Sequence, residues 1–254
     1  MTDVQYQAFC EYRDKMKSLC GQWLALSDEL RPLQVAAALK DTPEYPLETS
    51  VVYNKAYDEI TKDSDIKLIV IGDNPGKEEQ LSANNRYLVG QSGRIAEGFF
   101  RRNPELGIDF RKNVVIMNKT PVHTAKTTHL KYLAAHGSDR VKRLLHESQL
   151  DMARLAAELH QKLETAQLWL VGYSELKGKG LFLQYRDALL QCYRNADGSM
   201  KESWDSVFVF QHFSMNRFLI DLSQHQKEES ASALLSDALA FIGSKHRKEI
   251  FGGI

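Results

Sequence analysis

Only three cysteines occur in the 254-residue chain, Cys10, Cys20 and Cys192, and no two of them share a CxxC spacing. So sparse and odd a set excludes a disulfide framework and fits a reducing compartment, with the thiols acting as small buried hydrophobes. Proline is scarce, at 6 residues, and glycine stands at an ordinary 15, which excludes collagen-like and low-complexity chains. No apolar run reaches the roughly 18 residues that a membrane span needs. The opening MTDVQYQAFCEYRDKMK also lacks the uncharged apolar stretch of a signal peptide, so a cytoplasmic protein without membrane contact is expected. Net charge is missing too, because 33 basic residues offset 33 acidic ones. A chain that coats nucleic acid with its whole surface is thereby excluded.

What is present is ordinary globular material, 43% hydrophobic and 26% charged, of a length that suits one large α/β domain or at most two small ones. The zero net charge hides local imbalance. Residues 1–65 hold twelve acids against seven bases, whereas residues 86–131 hold nine bases against three acids. The second segment is a candidate basic face.

Along the chain, Tyr6, Phe9, Met16, Cys20 and Trp23 recur at helical spacing after Asp3, an expected N-cap, and a second short helix is expected from Ser27 to Leu39. The two-proline stretch KDTPEYPLETS then reads as a connector. The expected division is a helical segment over 1–50 packed on an α/β domain over 51–254.

Four short apolar runs follow: IKLIVI (Ile66 to Ile71), VVIMN (Val114 to Asn118), LWLVG (Leu168 to Gly172) and VFVF (Val207 to Phe210). Apolar throughout, they suit strands covered on both faces. Helical candidates separate and follow them: Gly93 to Arg102, His146 to Glu164, Phe182 to Tyr193, Ser214 to Gln224 and Glu229 to Ile242. The alternation predicts a three-layer α/β/α sandwich around a central, mainly parallel four-stranded sheet, with function in the loops after the strands.

The first such loop reads Gly72-Asp73-Asn74-Pro75-Gly76-Lys77-Glu78-Glu79. A Walker A loop needs four residues between its glycines and Ser or Thr after the lysine; here there are three, and Glu78 follows, so nucleoside triphosphate hydrolysis is rejected. What remains is a tight Gly-x-x-Pro-Gly turn that presents Asp73 and Asn74 from a rigid support. Downstream stand Tyr87-Leu88-Val89-Gly90-Gln91-Ser92-Gly93-Arg94-Ile95, then Asn118 at the second strand end, Gly172 at the third, and Gln211-His212-Phe213-Ser214-Met215-Asn216-Arg217 after the fourth.

This ordered set resembles the uracil-DNA glycosylase superfamily over about 66–219. GDNPGKEE followed by YLVGQSGRI is similar to the bacterial and archaeal branch with Gly-Glu-x-Pro-Gly-x-x-Glu and Pro-Phe-Val-Gly-x-Ala-Gly motifs. Asp73 takes the place of that branch's acid. Asn74 matches the Asn of the mismatch-specific and single-strand-selective branches, where it holds the attacking water. Asn118 falls where the superfamily reads the uracil edge, and His212-Phe213-Ser214 resembles its His-Pro-Ser motif. Departures are equally specific. Three unsuitably spaced cysteines do not make the branch's iron-sulfur site, so no cofactor is expected. The stacking aromatic is replaced by Leu88, with Tyr87 just before it, and Phe213 replaces the motif's proline.

The resemblance implies a monofunctional hydrolase that removes uracil or a related deaminated base from DNA. Asn74 would orient the water, Asp73 would accept a proton or stabilise the cationic sugar, and His212 would donate to the base as it departs. Asn118, with one donor and one acceptor, suits uracil O4 and N3–H, and Gly72, Tyr87 and Leu88 complete the base site. Ser92, Ser214 and Arg217 are the expected phosphate contacts and Met215 the expected wedge into the base stack. No suitably placed lysine is expected for a Schiff-base step. The spacings of His123, His129 and His136 match no metal motif, and no metal is expected. Two alternatives stand beside this reading: a superfamily relative that binds nucleic acid or a nucleobase without cleaving it, and a hydrolase of a small N-glycoside. The first requirement is geometric, that Asp73, Asn74, Asn118 and His212 line one pocket.

Overall fold

The computed structural model describes residues 1–228 and 234–253. The chain opens with helices α1 (Asp3–Leu24) and α2 (Ser27–Ala38). The cap of α1 is Thr2, not Asp3: its hydroxyl accepts from Gln5 N–H while the Gln5 side chain accepts from the Thr2 N–H. Asp3 thus stands in the first turn, where its charge suits the helix dipole.

Strands β1 (Leu68–Gly72), β2 (Val114–Asn118), β3 (Gln167–Val171) and β4 (Val207–Phe210) form an all-parallel sheet in the order β2-β1-β3-β4. Their side chains alternate between two buried layers, as pleating requires. Ile69, Ile71, Val115, Met117, Leu168 and Leu170 pack on one face, in one cluster with Phe9, Met16 and Cys20 of α1. Leu144, Met152 and Leu159 of α5 (Asp139–Leu163) and Tyr185 and Leu189 of α6 (Leu183–Cys192) complete that layer. Val70, Ile116, Trp169, Val171 and Phe210 face the other way, against α3 (Gln91–Arg102), α7 (Arg217–Glu228) and α8 (Leu235–Phe251). The three-layer sandwich is therefore present, and the N-terminal helices share the core of the sheet's first face.

Several boundaries differ from the expected ones. A short helix, α4 (Leu130–His136), precedes α5. Helix α5 starts at Asp139 and not at His146, because Ser138 caps it by accepting from Val141 N–H. Its first turns, DRVKRLLHE, hide Val141, Leu144 and Leu145 among charges that lie on the solvent face. Ser138→Ala is expected to cost about 1 kcal/mol in urea unfolding at neutral pH, the usual worth of such a cap; an unchanged midpoint would show that tertiary packing alone fixes this start. The residues Ser214–Asn216 form a 3-10 turn, so α7 begins only at Arg217. The helix expected from Glu229 lies partly outside the described residues, and the part described runs on to Phe251. Of the thiols, Cys20 is buried and its pKa is pushed up to about 12 by burial, but Cys10 and Cys192 are only half-buried, so just one of the three fits the expected buried hydrophobe. Among the described residues no helix is long and apolar enough to cross a membrane.

Candidate active site

The strand order has a direct consequence for the site. From β1 the chain moves outward to β2, then returns across β1 to β3, so the loops after β1 and β3 diverge and leave a crevice at the carboxyl ends of the strands. A cleft of about 670 Å³ opens there. Asp73, Asn74, Asn118 and His212 all line it, so the geometric requirement is met. Leu88 and Ser92 line it as well, as do Ser214, Gly172 and the wall Thr124 to Thr128.

Asn74 sits in the turn after β1. Its side-chain N–H2 donates to Thr124 Oγ1 at 2.8 Å and faces the carbonyls of Val122 and Pro75 at 3.3 Å each. Three acceptors on the nitrogen settle the amide orientation. The Oδ1 atom makes no hydrogen bond among the described residues, which leaves an acceptor for a water in the cleft. Asn118 ends β2 and is 2% exposed, yet neither of its amide atoms has a partner among the described residues. The amide opens on the cleft, where its donor and acceptor are free for water or a ligand. Gly72 makes room for it: a Cβ there would stand 2.6 Å from Asn118 Oδ1.

His212 follows β4. Ser214 N–H donates to its Nδ1 at 3.0 Å, and the Ser214 hydroxyl lies 2.7 Å from the same nitrogen. An accepting Nδ1 places the proton of the neutral ring on Nε2. Burial pushes the imidazole pKa below its ordinary value; the Asp73 carboxylate opposes that shift and the Lys119 ammonium adds to it. The ring is thus a neutral donor at pH 7. Phe213 points into the core, its ring centroid 5.0 Å from that of Phe218, so the residue that stands for the motif's proline anchors the turn by packing.

Asp73 carries a partner that sequence reasoning missed. Lys119, the residue after Asn118, is 0% exposed and places its Nζ 2.6 Å from Asp73 Oδ1. A lysine thus stands at the site, though outside the cleft lining. Its ammonium also donates to the carbonyls of Val171 at 2.5 Å and Gly72 at 3.3 Å, and it lies beneath the cleft and not along its lining. With every N–H engaged, it is not placed as a nucleophile. Gly172 permits this packing: its φ of 101° is left-handed, and a Cβ would meet Asp73 Oδ1 at 2.4 Å and Lys119 Nζ at 3.2 Å.

Glu79 was also missed as a site element. Buried under the loops, it accepts from Gly76 N–H, and desolvation raises its pKa against the opposing effect of the backbone N–H groups of Gly76, Leu88, Val89 and Gly90. Its carboxylate braces the first motif and faces the backbone of the second, and its place as the last residue of GDNPGKEE is the clue the sequence offers. Leu88 is held at φ 51°, and its carbonyl accepts from Arg111 Nη2 at 2.7 Å. Tyr87 does not belong to the cleft: fully buried, it donates its hydroxyl to the Val52 carbonyl at 2.6 Å, so Leu88 alone of that pair reaches the cleft. No Phe, Tyr or Trp is among the described residues lining the cleft.

The expected DNA contacts divide. Ser92, in the first turn of α3, lines the cleft, whereas Ser214 is engaged with His212 and Arg217 is exposed at the start of α7, outside the lining. The side chain of Met215 lies outside the described residues. The basic segment 86–131 does not form one face. Arg94 and Lys126 reach the cleft, Lys126 paired with Asp41 at 3.1 Å; Arg86 pairs with Glu59 and Arg111 with Glu97, and both of these arginines line a separate pocket beside β2.

The histidines singled out for metal have other partners. His123 is buried between the Pro75 carbonyl (2.9 Å) and the Tyr45 hydroxyl (3.2 Å), its pKa pushed down to about 4 by burial. His129 pairs with Asp41 at 3.1 Å, and His136 is exposed with its Nδ1 3.0 Å from the Tyr132 carbonyl. No group of three or more His, Cys, Asp or Glu placed to hold a metal occurs among the described residues. Comparison of the chain with protein-family models, with curated proteins and with solved structures finds no match.

Proposed function

We propose that the cleft hydrolyses the N-glycosidic bond of uracil or a related deaminated base in DNA. The observation that carries the reading is the convergence of three unspent polar groups in one cleft: the Asn74 Oδ1 acceptor, the unpartnered Asn118 amide and the Nε2–H donor of a neutral His212. In such a reaction the C1′–N bond breaks with its electron pair leaving on the base, while the sugar becomes cationic. His212 Nε2–H donates to the base oxygen where negative charge gathers. The Asp73 carboxylate stabilises the sugar cation, and Asn74 Oδ1 aims a water at C1′. As the water oxygen bonds C1′, its proton passes to the second Asp73 oxygen, which has no partner among the described residues, and from there to solvent. Asn118 supports selection of the N–H and C=O edge of a deaminated base over cytosine, whose corresponding groups are reversed. Residues of this chain supply each role, so the proposed route calls on no cofactor, and the sparing use of free thiols supports a cytoplasmic setting.

The test is release of base from single- and double-stranded oligonucleotides carrying uracil, hypoxanthine or xanthine, read as alkali-labile abasic sites. No release at stoichiometric protein and low salt would sink the reading. Asn74→Ala is expected to slow release about 100-fold, the cost of a misplaced nucleophile, while salt-dependent retention on DNA stays as in the wild type. An unchanged rate would remove Asn74 from the reaction. One observation favours a second reading, a protein that binds nucleic acid or a nucleobase without cleaving it: among the described residues the cleft lining has no Phe, Tyr or Trp on which to stack an extruded base. Retention on uracil-containing DNA without base release would establish that reading. Cleavage of free nucleosides but not oligonucleotides would instead indicate a hydrolase of small N-glycosides.

A further inference from the structure

We infer that Lys119 is a positioning residue for this site: its ammonium, sealed beneath the cleft, holds the Asp73 carboxylate in one orientation and offsets the pull of that carboxylate on the His212 proton. The inference rests on the glycosylase reading for its catalytic meaning and on geometry for its physical content. Lys119 Nζ joins the ends of three strands, through Gly72 O of β1, Val171 O of β3 and its own place just after β2, and its closest side-chain partner is Asp73 Oδ1 at 2.6 Å. The ring of Phe182 covers it, with Nζ 5.1 Å from the centroid. Gly172, held at φ 101°, is the only residue type that leaves space for both members of the pair.

Stability does not account for this arrangement. Taking two charges out of water costs about as much as their attraction returns, so a buried pair is often replaceable by apolar side chains without loss. The placement does account for the neighbours. Asp73 and His212 line the same cleft with Lys119 directly beneath the carboxylate, and the two charges pull the imidazole pKa in opposite senses; Glu175, which also acts on Lys119, lines the cleft as well, with Lys77, Glu78, Glu79, Arg94 and Lys126 as its other charged side chains. With Lys119 in place, the cleft presents a carboxylate already neutralised from behind. His212 then feels a dipole rather than a bare anion, and the imidazole keeps the single Nε2 proton that the Ser214 contact assigns to it. Without Lys119, the carboxylate would stand unpaired in the same cleft as the ring and favour a second proton on it, and a charged imidazolium on a cleft that must accept a cationic sugar opposes the reaction.

The experiment is a pH titration of the His212 imidazole by NMR on protein labelled with ¹⁵N-histidine, the resonance being identified by its loss in His212→Gln. Lys119→Met removes the ammonium. Lys119→Gln keeps a donor for Asp73 without the charge, and serves if the Met variant does not fold. Either variant is expected to raise the His212 midpoint by about one pH unit, a tenfold change in protonation, and adding Asp73→Asn is expected to bring it back. A midpoint that stays within about 0.3 unit of the wild type overturns the inference. Base release by the wild type is measured in parallel: a shifted midpoint with no release overturns the glycosylase reading alone, and release with an unmoved midpoint overturns the role of Lys119 alone.

Discussion

His212→Ala is expected to lower the rate of base release by about 100- to 1000-fold while leaving retention on DNA near that of the wild type. The magnitude follows from the role. A donor aimed at charge that exists only in the transition state is worth roughly 3 to 4 kcal/mol, and it contributes little to ground-state binding. The neutral ring is the form that fits: Ser214 N–H occupies Nδ1 at 3.0 Å, so the one proton sits on Nε2, and burial holds the pKa below the ordinary value. The pH dependence follows with a definite sign. Above the depressed pKa the ring is a neutral donor and the rate is insensitive to it; as pH falls through that value the ring gains a second proton, competes for it with the Ser214 contact and repels the sugar cation, so the rate falls on the acid side. A pH profile of single-turnover release checks both statements. A variant within threefold of the wild type, or an acid limb above the ordinary histidine range of about 6.5, would show that His212 is not the donor.

Much of the architecture was legible because strands buried on both faces must be apolar throughout. VVIMN and VFVF are strands β2 and β4 to the residue, and LIVIG and QLWLV differ from the expected runs by one or two positions. The helix starts were harder to read. Charged residues dominate the first turns of α5, and only the Ser138 cap, six residues ahead of Leu144, marks where it begins. At the site, the residues at strand ends could be placed because topology carries every strand end to the same edge. Lys119 could not, since a lysine in a sequence reads as a solvent-exposed charge, and only the fold reveals that Gly172 and Asp73 enclose it. Tyr87 and Leu88 illustrate the same limit. They are adjacent, and the left-handed backbone at Leu88 decides which of the two meets the cleft. The charge pattern misled for a related reason: a basic segment becomes a basic face only if its turns fold to one side, and here Arg86 and Arg111 reach their acids on a different surface.

Gly93→Ala is expected to be the most damaging single-methyl change in the site's framework, lowering stability by about 3 kcal/mol or more and abolishing base release even where the protein remains folded. A Cβ at Gly93 would lie 1.5 Å from the Leu88 carbonyl oxygen and 2.2 Å from its carbon. The clash is with backbone, and that backbone has nowhere to go. Leu88 is already at φ 51°, its carbonyl is held by Arg111, and the backbone N–H groups of Leu88, Val89 and Gly90 face the buried Glu79 carboxylate. Relief therefore requires either the start of α3 to lift away, taking Ser92 with it, or the Leu88 turn to open, which would break the Arg111 hold on the Leu88 carbonyl and expose the buried Glu79 carboxylate. Gly98→Ala in the same helix is the control, because its nearest contact is the flexible Arg102 Nη1 at 3.0 Å and alanine favours the helix by about 0.5 to 1 kcal/mol. Urea unfolding of the two variants should give opposite signs, with Gly98→Ala at or above the wild type. If Gly93→Ala unfolds within about 1 kcal/mol of the wild type, the close approach of α3 to the Leu88 turn does not set the shape of the cleft.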